Sequence, residues 1–491
     1  MSSNIIGKTH VAALAAIMAL VCLAESCAQG GPIALAADGD LKPRLERIVE
    51  RNPLPEGWTI AKAGEIPSWT LRLEASSQGS APSESGALCG NYYLAAAVDL
   101  ADERYSTSKD KAEELGLQDL ETIAPPRRAL AVGSLWPGQV GYPFAYDLAL
   151  SASSTVAGEA IPSALEAWIK TSATKEKASS SSPLLLAAAG DIQVRQERAS
   201  AIAGGTESLD KLIAPALVER IRGADFAVAN LETPISGRGE PNPKKHYQFR
   251  MPRGSSSLLR DAGFDLMLFA NNHGFDYGPK AFLDTLDELE NWGLSYVGAG
   301  RNSNEAAAAK SVATASGEKL AFVGYAFYPT ESYGFSLADA AAGPDKPGIS
   351  TDEAAALASV RDAVAKGETV VVLAHGGIEY QLKPSQAALK LYDRFAKAGA
   401  ALVLGSHPHI FQGCAARDGS LIAYSLGNFV FTREGEPETA WKSGLLELLV
   451  YRGKVRALRI FPIIVSYGGT AVDPNRAAAD SHFSKLCAEL E

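Results

Sequence analysis

Histidine, cysteine and methionine are scarce in this chain of 491 residues: seven, five and four, respectively. The cysteines stand at 22, 27, 89, 414 and 487, too far apart for a thiolate metal cluster or a disulfide framework. At most one bridge forms among Cys89, Cys414 and Cys487. An excess of basic residues is also missing. Lys and Arg number 46 against 56 Asp and Glu, and the net charge of −10 argues against a general nucleic-acid binder. Internal repeats are absent, and beyond the N-terminus no apolar run is long enough to span a bilayer. What remains is ordinary for a globular protein with a sizeable core, 46% hydrophobic and 21% charged. Its length predicts roughly two to three domains.

The first 28 residues read as an export signal. Lys8 precedes an uncharged apolar run from Val11 to Ala24, shorter than a comfortable membrane span. Two processing routes are open, cleavage among the small residues Ser26-Cys27-Ala28 or lipid attachment at Cys27. Both predict an extracytoplasmic protein, either free or lipid-anchored.

Residues 40–170 carry no clear catalytic pattern and are expected to form a small α/β accessory domain. Asp40 to Arg51 has helical spacing, Asn91 to Leu100 suits helix or strand, and Ala164 to Thr171 reads as a short helix. Thr171 to Pro183 is rich in Ser, Thr and Lys and is expected to be a flexible linker. A larger domain follows over 184–466, leaving 467–491 as a C-terminal tail.

In that larger domain, buried-strand patterns repeatedly end in residues that bind metals. Leu184 to Ala189 leads to Gly190-Asp191, and Phe226 to Ala229 to Asn230-Leu231-Glu232. Phe264 to Ala270 leads to Asn271-Asn272-His273 with Asp276 close behind, and Thr369 to Leu373 to Ala374-His375. Ala400 to Leu404 leads to Gly405-Ser406-His407-Pro408-His409, where proline stiffens the loop between two imidazoles. One or two such coincidences arise by chance, whereas five converge on one sheet edge, where ligands of open α/β sheets bind. Carboxylate, amide and imidazole together suit Mn, Fe or Zn.

These motifs, with His375-Gly376-Gly377-Ile378-Glu379-Tyr380 and Tyr424-Ser425-Leu426-Gly427-Asn428-Phe429, closely resemble those of the CapA family of poly-γ-glutamate capsule synthesis proteins. That family falls within the calcineurin-like metallophosphoesterase superfamily, and the resemblance covers roughly Leu184 to Val465. It implies a four-layer α/β/β/α sandwich with a dinuclear site for two divalent ions. Carried over residue by residue, Asp191, Glu232, Asn272, His375, His407 and His409 would be the metal ligands. His273 would be a general acid oriented by Asp276. The sequence departs from the superfamily pattern twice. Gln193 stands where a histidine is usual, and Glu232 is one methylene longer than Asp. One ion is therefore expected to be held tightly, by Glu232, Asn272, His375 and His407, and the other more loosely, by Asp191, Glu232 and His409.

The basic stretch containing Lys244, Lys245, His246, Arg250 and Arg253 is either a solvated loop or a cationic rim for an anionic substrate. Lys245, Arg250 and Asn428 are the candidate substrate contacts, and His246 reads as a loop residue. Two functions fit. One is an envelope hydrolase acting on a phosphoester or an anionic γ-glutamyl polymer. The other is a non-catalytic protein that binds, assembles or anchors that polymer with the capsule synthesis machinery.

Overall fold

The computed structural model describes residues 32–37, most of 41–178, and 182–490 apart from 434 and 436. The expected export signal over 1–28 lies outside the described residues. No helix among the described residues is long and apolar enough to cross a membrane. The chain is mixed α/β and divides into two compact units. One comprises the residues up to Leu94 together with Pro143–Ser180, and the other Ala95–Tyr142 together with Ser181–Glu491.

In the first unit, strands Pro32–Ala37, Trp69–Ser77 and Ala145–Ser154 lie side by side in one sheet. The ambiguous Asn91 stretch is strand, within Ala87–Asp99. Helix Lys42–Arg51 buries Leu45 and Ile48, four and seven residues after Leu41, on the apolar core that also holds Leu71 and Leu148. Helix Ser163–Ala178 runs straight through the first half of the expected linker. The segment buries more than its composition suggests: Ser172 and Ala173 are each 1% exposed, and Lys170 pairs with Glu166 one turn earlier. With no glycine or proline between Ser163 and Ala178, nothing in the sequence stops the helix.

The second unit is built on two large sheets. One has eight strands, with parallel Leu184–Gln193, Phe226–Leu231, Leu266–Leu268 and Ser295–Val297 on one side of its centre. The hairpin Lys442–Tyr451 and Lys454–Ser466 lies on the other side. Arg452 (φ 48°) and Gly453 (φ 73°) make the tight left-handed turn between them. The other sheet has six strands, including parallel Lys319–Ala326, Thr369–His375, Leu402–Ser406 and Ser420–Leu426. Side chains alternate across it with the period of two that a strand imposes. Leu320, Phe322, Val371 and Leu373 join the core shared with the eight-stranded sheet. Ala321, Val323, Val370 and Val372 meet helices Glu353–Ala365 and Gln386–Lys397 through Val360, Leu391 and Phe395.

Parallel strands buried on both faces read as continuous apolar runs, which is why these were legible. Helix starts were legible to within a residue or two, because short polar side chains cap free backbone N–H groups. Asp352 caps one helix by accepting from Ala355 N, and Ser385 caps the next through Ala388 N. The stretch expected as a tail is ordered. It contains strand Gly469–Val472 and helix Arg476–Ala488, whose Ala479, Phe483, Leu486 and Cys487 fall on one helical face. Phe483 packs against Phe411 with ring centres 4.7 Å apart, and Cys487 Sγ accepts from Cys414 N at 3.1 Å.

Candidate metal centre

Asp191, Glu232, Asn272, His375, His407 and His409 are brought together, and each is 3% exposed or less. Their positions follow from the strands. Asp191 and Asn230 pair across adjacent parallel strands, and His375 pairs with Ser406 in the other sheet. Two overlapping triplets emerge, Glu232–His375–His407 and Asp191–Glu232–His409. In each, one ligand atom per residue lies within 4.8 Å of the others, and Glu232 belongs to both. Asn272 joins the first triplet through its side-chain oxygen, 2.9 Å from His375 Nε2.

The imidazoles are held from behind. His375 Nδ1 lies 2.9 Å from Ser406 Oγ, while Nε2 faces Glu232 Oε1 at 3.8 Å. His409 Nδ1 donates to Asn428 Oδ1 at 2.9 Å, and its Nε2 faces Glu232 Oε1, again at 3.8 Å. Fixing one ring nitrogen leaves the other for a metal, the usual arrangement for ligating histidines. His407 Nδ1 is buried with no hydrogen-bond partner among the described residues. A buried polar atom left without a partner is costly in a plain core and suits a ligating position. The donor set therefore fits divalent cations. The His407-Pro408-His409 loop also carries backbone strain, with both histidines in the left-handed region at φ 96° and 60°. Such conformations persist where the surroundings enforce them, commonly at functional sites.

Electrostatics agree with ligation. Burial and the neighbouring imidazoles push His375 well below its ordinary pKa, and burial with His409 does the same to His407, so both are neutral, as ligands must be. Burial also opposes charge on His409, but the Glu232 and Asp191 carboxylates outweigh it and raise the group to about 10. The second triplet is thus rich enough in negative charge to hold a proton where a cation is absent.

His273 and Asp276 meet as expected, with Nδ1 2.8 Å from Oδ2. Burial lowers the His273 pKa, and Asp276 opposes that shift. Asp276 Oδ2 also accepts from Phe249 N at 2.6 Å. Two candidate substrate contacts are placed otherwise than expected. Lys245 is no rim residue: its side chain is fully buried, with Nζ 3.1 Å from Asp276, 2.7 Å from Glu331 and 2.7 Å from the Asn272 carbonyl. A buried ammonium needs such partners, and once they are present it is unavailable to a ligand. Asn428 is 1% exposed and holds His409. Arg250 does line an open cavity, with its guanidinium 4.0 Å from the Tyr277 ring centre. His246 is an exposed loop residue stacked on Tyr333.

Four participants carried weaker signals. Asn230 Nδ2 donates to Asp191 Oδ1 at 2.8 Å and lies 3.3 Å from Glu232 Oε2 and 3.2 Å from His375 Nδ1. It stands two residues before Glu232, hence on the same strand face, and that spacing could have revealed it. Ser406 is likewise adjacent to His407. Glu331, which accepts from Asn272 Nδ2 at 3.1 Å, lies 59 residues away with no local signal. Tyr328, whose ring lies 6.5 Å from His375 and 6.3 Å from His407, gave none either.

Known proteins share this part of the chain. PGA biosynthesis protein CapA of Bacillus subtilis (strain 168) is 30% identical over 229 residues, 46% of this chain and 57% of that protein. Capsule biosynthesis protein CapA of Bacillus anthracis is 29% identical over 287 residues, 55% of this chain and 66% of that protein. A probable polyglutamine synthesis accessory protein of Mycobacterium tuberculosis is 28% identical over 219 residues, 43% of this chain and 57% of that protein. The chain therefore matches 57–66% of the length of these relatives. The family model described as "Bacterial capsule synthesis protein PGA_cap" matches residues 185–433, a span that starts with the Asp191 strand and ends just past Asn428. The strand ends that assemble the buried histidine and carboxylate cluster all fall inside that match, and the chain belongs to the PGA_cap family of bacterial capsule synthesis proteins.

Proposed function

We propose that this protein acts outside the cytoplasm in capsule-polymer biosynthesis, as a metal-dependent hydrolase with two divalent ions of the Mn, Fe or Zn type. The observation that carries the reading is the pair of ligand triplets sharing Glu232. A carboxylate common to two such groups suits a dinuclear centre. The relatives named for PGA and capsule biosynthesis support the biological setting. In this reading the second unit is a four-layer α/β/β/α sandwich, the first is an accessory domain, and the N-terminus directs export, free or by a lipid anchor. The substrate is a phosphoester or an anionic γ-glutamyl polymer.

Bound divalent ions would supply Lewis acidity for hydrolysis. Glu232, Asn272, His375 and His407 would hold one, and Asp191, Glu232 and His409 the other. Asn230, Ser406 and Asn428 orient those ligands. His273, positioned by Asp276, is the proton donor to the leaving group. Metal-stripped protein reloaded with Mn²⁺ or Zn²⁺ should turn over a γ-glutamyl oligomer or a phosphodiester. His273→Ala should retain its metal and lose roughly 10²–10⁴-fold in rate. Full metal loading without turnover of either substrate would instead favour a protein that binds and anchors the polymer.

A further inference from the structure

We propose that Glu331 is a positioning residue for the tighter metal position: its carboxylate holds the Asn272 amide so that the side-chain oxygen, and not the nitrogen, faces Glu232, His375 and His407. This rests on the proposed function only in taking Asn272 as a ligand.

An amide has two ends of nearly the same shape. Its oxygen can ligate a cation, whereas its NH₂ group only donates hydrogen bonds. What the two ends meet therefore decides which one faces the centre. Asn272 Oδ1 lies 2.9 Å from His375 Nε2. A histidine that ligates through Nε2 carries no proton there, so that contact cannot fix the amide in the loaded site. The opposite end is held differently. Asn272 Nδ2 donates to Glu331 Oε1 at 3.1 Å. A carboxylate only accepts, so it can hold the NH₂ end and repels the oxygen. Glu331 thereby turns the Asn272 oxygen towards the first ligand triplet.

Glu331 is itself held in place. It stands just past strand Lys319–Ala326 of the six-stranded sheet, whereas Asn272 follows strand Leu266–Leu268 of the eight-stranded one. The bond between them thus ties the two sheets together beside the ligands. Glu331 N donates to the Phe335 carbonyl at 2.8 Å, and Gly334 N donates back to the Glu331 carbonyl at 2.8 Å. Gly334, at φ 89°, permits that turn. Lys245 Nζ pins the carboxylate from the other side, 2.7 Å from the same Oε1 and 4.4 Å from the Phe335 ring centre. A counter-ion role alone leaves this unexplained, because Lys245 already has Asp276 at 3.1 Å and the Asn272 main-chain carbonyl at 2.7 Å. Lys245 meets Asn272 twice, directly at its main chain and through Glu331 at its side chain.

The test is calorimetric titration of Mn²⁺ into metal-stripped full-length protein, for wild type, Glu331→Ala and Glu331→Gln. Glu331→Ala should weaken the tight ion by about 10–100-fold and leave the loose ion within about twofold. Glu331→Gln keeps an acceptor oxygen for Asn272 Nδ2 and should stay within about threefold of wild type. The visible spectrum of Co²⁺-loaded protein should change in Glu331→Ala and return to its wild-type shape in Glu331→Gln. Loss of a nearby negative charge would instead weaken both ions, and would do so in both variants. Should Glu331→Ala misfold by circular dichroism, Glu331→Met fills similar volume without an oxygen acceptor and should show the same loss. An unchanged tight ion in the folded Ala or Met variant, or a loss that Glu331→Gln does not restore, overturns the proposal while Asn272 stands as a ligand. Wild type that binds no tight ion overturns the ligand set and this proposal with it.

Discussion

Asn230 touches more of the centre than any residue first singled out in its motif, reaching Asp191, Glu232 and His375 while its own Oδ1 accepts from Asn271 at 3.1 Å. Removing an outer partner of ligating groups typically costs 10–100-fold in metal affinity. Asn230→Ala should therefore lower Mn²⁺ affinity by about that factor while the fold stays intact, as read by calorimetric titration alongside circular dichroism. Lys245 makes a different prediction. It compensates Asp276 and Glu331 in a buried setting, so Lys245→Met should destabilise the protein by about 3–5 kcal/mol in urea unfolding. Adding Glu331→Gln should restore part of that loss, because one uncompensated carboxylate is then removed. If Lys245 were instead an exposed substrate contact, the single variant would unfold like wild type. The clustering of the six expected ligand residues was legible because each sits at the end of an apolar run. Lys245 and Asn428 read as substrate contacts, but sequence spacing holds no information on whether a side chain points to solvent or back into the protein.

At the scale of elements, the Asp191 strand crosses the Gly427 turn at closest approach. Asp191 N donates to Gly427 O at 2.9 Å, and a Cβ on Gly190 would stand 1.8 Å from that same oxygen. Nothing but glycine fits there without parting the strands. Gly190→Ala should cost about 1–3 kcal/mol or more and should lower metal content as well, since Asp191 and Asn428 lie on either side of the contact. Chemical unfolding and elemental analysis of the same sample would check both. Strand existence was legible throughout the second unit, where parallel strands are buried on both faces. The helix over 163–178 was legible only in part, because its serine, threonine and lysine content matches a linker and its burial comes from a partner surface that the local sequence does not contain. Trypsin should accordingly cut slowly after Lys170, beside the buried Ser172 and Ala173, compared with a peptide of the same sequence.

For the whole molecule, the domain expectation meets a packing fact. Residues Ala95–Tyr142 cluster with the second unit. Arg456 on the long C-terminal hairpin donates to the Ile123 carbonyl at 2.8 Å, and Arg459 lies 4.9 Å from the fully buried Trp136 ring. A fragment starting at Leu184 would strip these partners from two largely buried arginines. It should melt below the full chain and expose apolar surface to a hydrophobic dye. A fragment as stable as the full chain would contradict that dependence. Long-range insertion of this kind leaves no periodic trace, whereas the strand-to-ligand rhythm of 184–433 does.

The central question is whether Glu232 joins two metal positions of unequal strength. The most direct measurement is metal content and affinity of purified full-length protein by elemental analysis and calorimetric titration, for wild type, His407→Ala and His409→Ala. Wild type should hold two ions per chain, one tight and one readily exchanged. His407→Ala should strip the tight ion, His409→Ala should mainly weaken the loose one, and Gln193→His should tighten the loose site. Wild-type protein that takes up no divalent metal, or two equally tight ions unaffected by either histidine substitution, would contradict it.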